Sequence, residues 1–104
     1  MGLEITNEEE HQDGTMSSAT YLYIAEYYKA ANINTISLAT SFYKSKALYE
    51  ASDTNISNIK SLPDTRFTLP FSMANFSEVE DTVAALYSKL KSYLIGLGYD
   101  VIDA

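Results

Sequence analysis

Val79, Val83, Leu86, Leu90, Tyr93 and Leu97 recur at spacings of four, three, four, three and four. This is an a/d heptad rhythm, which suits a long helix lying along an apolar partner. Ser77-Glu-Val-Glu80 reads as a capping box at its start, and Glu78, Glu80 and Asp81 suit the positive end of the helix dipole. Gly96 or Gly98 can end it. The rest of the chain must supply a surface on which this helix packs.

Two further helices are expected upstream. Ser17 and Ser18 can cap one that runs to Ala31, with Tyr21, Ile24, Ala25 and Tyr28 on one stripe and Tyr23, Tyr27 and Ala30 on another. Asn34 or Thr35 can cap a second running to Ala51, with Ile36, Ala39, Tyr43, Ala47 and Glu50 on one face and Leu38, Phe42 and Tyr49 beside it. Asn32-Ile33-Asn34 between them is short enough for an antiparallel helical hairpin. Asp53 to Ser61 allows a short fourth helix, and Pro63 stops helical propagation. From Leu62 to Met73, Phe67, Leu69 and Phe71 alternate with Thr68 and Pro70. That stretch reads as an extended connection, either an edge strand or a loop, with the loop preferred. The expected fold class is all-α: a small bundle of three main helices, made of a hairpin, a proline-containing connection and a long amphipathic C-terminal helix.

Charge divides the chain unevenly. Asp and Glu number 14 against 7 Lys and Arg, a formal charge of −7. Glu4, Glu8, Glu9, Glu10 and Asp13 fall within the first fourteen residues, which hold no Lys or Arg. Residues 1–15 are therefore expected to form an acidic, disordered tail, and residues 16–104 a single helical domain. A body so close to neutral disfavours nucleic acid bound through a basic face, and it disfavours an anionic membrane surface. The apolar stretch Tyr93 to Leu97 is too short to span a bilayer, and the N-terminal residues lack the basic-then-apolar pattern of a secretory signal. The expected location is cytoplasmic or virion-associated.

Catalytic chemistry finds little material. There is no cysteine, and His11 is the one histidine, so thiol nucleophiles, thiolate metal sites and a Ser–His–Asp triad lack their parts. Ser41-Phe-Tyr-Lys44 spells S-x-x-K, but the companion elements of that enzyme class are missing. Glu78, Glu80 and Asp81 are explained by the helix start they occupy. No cofactor and no metal are expected. Asn55-Ile-Ser57 and Asn75-Phe-Ser77 match glycosylation sequons and read most simply as turn and cap residues.

The anomaly is nine tyrosines with no tryptophan, set among many Ser, Thr and Asn residues. Tyrosine supplies rigid amphipathic contact area at low entropic cost. Tyr23, Tyr27, Tyr49 and Tyr87 fall off the main stripes, and Tyr99 and Ile102 lie in an apolar C-terminal segment. These six are expected to meet a protein partner, with Glu8, Glu9 and Glu10 as a separate acidic contact. The expected function is a non-enzymatic interaction or structural assembly protein, a homo-oligomer or part of a larger assembly, of the kind that serves as a virion connector or accessory adaptor. The alternative is a small acidic inhibitory or regulatory binder, of an immunity, antitoxin or host-defence-blocking type, acting through its acidic tail.

Overall fold

The structure, a computed structural model, describes residues 2–30, 35–52, 54–62, 64–70 and 79–104. Its elements in chain order are β1 (Leu3–Ile5), β2 (Glu9–Glu10), β3 (Met16–Ser17), β4 (Thr20–Ala30), β5 (Thr35–Tyr43), α1 (Lys46–Ala51), β6 (Arg66–Pro70), α2 (Val79–Gly96) and β7 (Val101–Asp103). Five strands form one curled antiparallel sheet in the order β6-β5-β4-β1-β7, and β2 pairs with β3 in a small separate ribbon. The all-α bundle is therefore wrong: β-sheet dominates, and α1 and α2 are the two helices among the described residues.

Strand β5 shows why. Ile36, Leu38, Thr40 and Phe42 are buried and alternate with less buried Ser37, Ala39 and Ser41, which is the two-residue period of a strand with one face on a core. Thr and Ile also favour a pleated surface over a helix. β4 carries the same pattern with an interruption. Its register against β5 shifts between Ile24 and Glu26, leaving Ala25 as a bulge. Before the bulge Leu22 shares a face with Phe42; after it Tyr27 shares that face with Leu38. One extra residue thus moves the inward positions from even to odd numbers. The stripes that suggested a first helix are two strand half-patterns joined out of phase.

α2 lies across the inner face of the sheet. Leu86, Tyr87, Leu90 and Leu94 are buried against Leu3, Ile5, Leu22, Ile36, Leu38, Phe42, Phe67, Leu69 and Val101. The C-terminal helix is where the heptad placed it, but its seam drifts. Leu94 is buried, whereas Tyr93 and Leu97 are 42% and 50% exposed. A straight helix turns every 3.6 residues and gains about 20° per heptad on a 3.5 pattern. The capping box falls partly on residues 71–78, and Asn32-Ile33-Asn34 likewise lies outside the described residues. Leu62 to Met73 holds a strand, β6, rather than a loop: Phe67 and Leu69 point inward and Pro70 ends an edge.

The N-terminal segment contradicts the expected disordered tail where it is described. β1 lies inside the sheet between β4 and β7, with Leu3 and Ile5 fully buried. His11 is also fully buried, against Thr20 at the start of β4 and bridged to Ile59. Its Nδ1–H donates to the Ser57 carbonyl at 3.0 Å, and its Nε2 accepts from the Thr20 hydroxyl at 2.9 Å. Polarity predicted solvation here, but Thr6 and Asn7 bond to Asp100, Glu9 to Ser61, Glu10 to Lys60 and Asp13 to Lys44, all far along the chain.

Candidate functional site

Beyond Leu22, β4 outruns its neighbour. β1 pairs only with Thr20, Tyr21 and Leu22, while β4 continues to Ala30 alongside β5. Its far half, with β5 and β6, forms a three-stranded arm on a molecule 41 × 26 × 20 Å in extent. Near the bulge, the Ile24 N–H donates to the Tyr87 hydroxyl at 3.0 Å. From Glu26 to Ala30 this side of β4 has no strand neighbour among the described residues.

Hydrogen-bond phase decides which groups face outward. The Thr40 N–H donates to the Thr65 carbonyl at 3.0 Å, so Leu38–Phe67 and Ile36–Leu69 are the hydrogen-bonded pairs of β5 with β6. The amides of Arg66 and Thr68 then point away from the sheet, and Pro70 takes the next outward position, where a missing N–H breaks no ladder bond. β5 turns Ser37 and Ala39 toward β4, pairing them with Tyr28 and Glu26. That leaves the N–H and C=O of Tyr27 and of Lys29 facing the open side of β4.

Side chains mark the same arm. Tyr27 and Tyr28 are 46% and 69% exposed. On the outer face Glu26, Ala39 and Arg66 form one row across the three strands. Small Ala39 floors a groove of about 280 Å³ with the carboxylate on one wall and the guanidinium on the other. Neither charge has an ion-pair partner among the described residues.

The tyrosines expected at one surface are split between four places. Tyr23 and Tyr49 belong to a second, outer core in which α1 sits on the sheet: Tyr49 lies 5.1 Å from Tyr21, 4.9 Å from Tyr23 and 5.1 Å from Tyr43 between ring centroids. Tyr87 is in the main core, and burial pushes its hydroxyl above the usual phenol range, opposed by the Ile24 N–H. Tyr99 is half-buried, its hydroxyl 2.7 Å from the Ser61 hydroxyl. Tyr27 alone of these lies on the arm. Ile102 is 48% exposed on the edge strand β7. Glu8 is exposed, Glu9 accepts from the Ser61 hydroxyl at 3.3 Å, and Glu10 pairs with Lys60 at 2.8 Å. Sequence reasoning missed Glu26, Tyr28 and Arg66 as a set, because only the strand register brings them together.

A more polar groove of about 440 Å³ lies between the β2–β3 turn and α1, lined by Asp13, Lys44, Leu48, Asn55, Ile56 and Asn58 among others. Asp13 accepts from Lys44 at 2.5 Å and from the Thr15 hydroxyl and N–H at 2.6 and 3.0 Å, a turn completed by Gly14 at φ 88°. Lys44, then Thr15, hold the Asp13 carboxyl well below the usual carboxylate range. A depressed folded pKa adds stability above the unfolded pKa, about 3.9, that is lost as pH falls through the folded value. Asp13→Asn is therefore expected to be less stable than the parent at pH 7, with the urea midpoints converging on acidification below about pH 4. Midpoints that keep a constant separation across that range would contradict the assignment. No group of three or more metal-ligating side chains is found among the described residues, and no described helix is long and apolar enough to cross a membrane. Neither the sequence nor the fold matches a known protein family, a characterised protein or a solved structure.

Proposed function

We propose that this chain is a non-catalytic assembly subunit whose three-stranded arm accepts an extended segment from a protein partner. The observation that carries this reading is the open side of β4 from Glu26 to Ala30, flanked by exposed Tyr27 and Tyr28. An unpaired edge is a template for another strand, and proteins usually blunt it with charge, proline or a bulge. Here the bulge at Ala25 precedes the free run, and the β6 edge is the one that carries a proline. Strand addition gives affinity through main-chain bonds, while neighbouring side chains supply selectivity. Tyrosines beside the edge suit that second task. The acidic-decoy alternative gains no such support, since Glu9 and Glu10 are engaged by Ser61 and Lys60.

The test is photo-crosslinking in the cells that make the protein, with a benzophenone amino acid placed at Tyr28 or, as control, at Met16. Met16 is 54% exposed on β3, in the ribbon before the start of β4. A discrete protein adduct from position 28 and none from position 16 is the expected result. Equal labelling from both positions, or none from either, would count against the arm.

A further inference from the structure

We propose that the strand accepted by the arm lies antiparallel to β4 and carries a basic residue, lysine or arginine, opposite Glu26. The inference rests on the strand-accepting reading above and adds the chemistry of the occupant. Backbone phase, face and charge each support it.

The backbone limits where the strand can lie. Tyr27 and Lys29 turn their N–H and C=O groups to the open side, while Tyr28 turns its own toward β5. Ile24, the outward residue before the bulge, has its N–H on the Tyr87 hydroxyl. The accepted ladder is therefore centred on Tyr27 and Lys29, and five residues opposite Glu26–Ala30 fill it. The pairings of the five-stranded sheet are antiparallel, and such pairs are the more stable per residue. In that direction Tyr27 and Lys29 exchange main-chain bonds with the newcomer. Glu26 and Tyr28 then fall at the closer, non-hydrogen-bonded positions, with about 4.5 Å between opposed Cα atoms.

Face then assigns chemistry. Tyr27 shares the inner face with Leu38, so an apolar residue opposite it extends the core side of the sheet. Glu26 and Tyr28 are exposed on the outer face, two residues apart on one strand. A lysine or arginine opposite Glu26 meets the carboxylate directly, and the Tyr28 ring lies on its diagonal, within reach of a long side chain. One side chain can thus gain both an ion pair and a contact with an aromatic face. An acidic residue there would meet Glu26 as a like charge.

Glu26 has no ion-pair partner in its own chain among the described residues. Arg66 shares its row but lies beyond Ala39, three strand spacings or about 14 Å from the accepted strand. That exceeds the screening length of about 8 Å at physiological salt. The formal charge of −7 also draws a basic partner toward the chain.

Two peptides test the assignment, Thr-Val-Thr-Val-Arg and Thr-Val-Thr-Val-Glu, each with a benzophenone at its N-terminus and an amidated C-terminus. They offer one backbone and differ only in the residue that falls opposite Glu26. Irradiated with the full chain, the arginine peptide is expected to give about ten times the adduct of the glutamate peptide, since attraction replaces repulsion. Mass spectrometry of the digested adduct should place it on the arm. Glu26→Arg should invert the ranking and Glu26→Gln should level it. Circular dichroism checks that each variant keeps its strands. Equal labelling by both peptides, or a ranking unchanged in either variant, would overturn the basic partner and leave the strand-accepting arm standing. Labelling by neither peptide, or adducts that map away from the arm, would remove the arm reading and the basic strand with it.

Discussion

Removing residues 1–14 is expected to abolish the fold, so that a chain starting at Thr15 shows no cooperative thermal transition and little strand signal by circular dichroism. β1 is the strand through which β7 joins the sheet. Without it Val101 loses its place, Leu22 loses the neighbour Leu3, and two fully buried side chains leave the core with Leu3 and Ile5. Large buried aliphatic residues are worth about 2–5 kcal/mol each when cut back to alanine. The buried His11 goes as well, stranding the Thr20 hydroxyl, which is buried, at a cost of about 1–3 kcal/mol. A domain of this size is stabilised by only about 5–15 kcal/mol in total. A disordered leader, by contrast, could be removed at no cost. Sigmoidal unfolding of the shortened chain at the parent's midpoint would show that β1 is dispensable.

That contrast marks where the sequence was legible. The C-terminal helix announces itself, because eighteen residues of Val79–Gly96 give the 3.6-residue period room to repeat. Three residues of Leu-Glu-Ile among polar neighbours cannot show a period, and β1 is recognised only by the strands on either side of it. β5 was readable: Thr35 to Phe42 alternate without a break and include the strand-formers Thr35, Ile36 and Thr40. Taking Ala39, Tyr43 and Ala47 as a helical face overrode that signal. β4 was harder, since the bulge at Ala25 places Ile24, Tyr27 and Tyr28 at spacings that a helix would also produce. The arm follows from register alone. Glu26 and Arg66 are forty residues apart, and nothing in either neighbourhood says that one short alanine separates them in a row.

Tyrosine serves two purposes in this fold, core packing and exposed surface, and substitution separates them. Tyr43 is fully buried in the outer cluster, with Tyr49 5.1 Å away and Tyr23 6.1 Å away between ring centroids. Tyr43→Ala is expected to destabilise the fold by about 3–5 kcal/mol, as for other buried aromatics cut to alanine. The loss should also release α1. A six-residue helix is too short to persist by itself, and Tyr49 is the α1 ring packed, tilted and edge-on, against the sheet tyrosines. Tyr28→Ser removes a ring that is 69% exposed and should change stability by no more than about 0.5 kcal/mol. Its effect should instead fall on association through the arm. Urea unfolding and sedimentation of the two variants make a crossed comparison: one loses stability, the other loses partners. The opposite pattern, with Tyr28→Ser unfolding the chain or Tyr43→Ala leaving stability untouched, would mean that the outer cluster is the docking surface and the arm is part of the core.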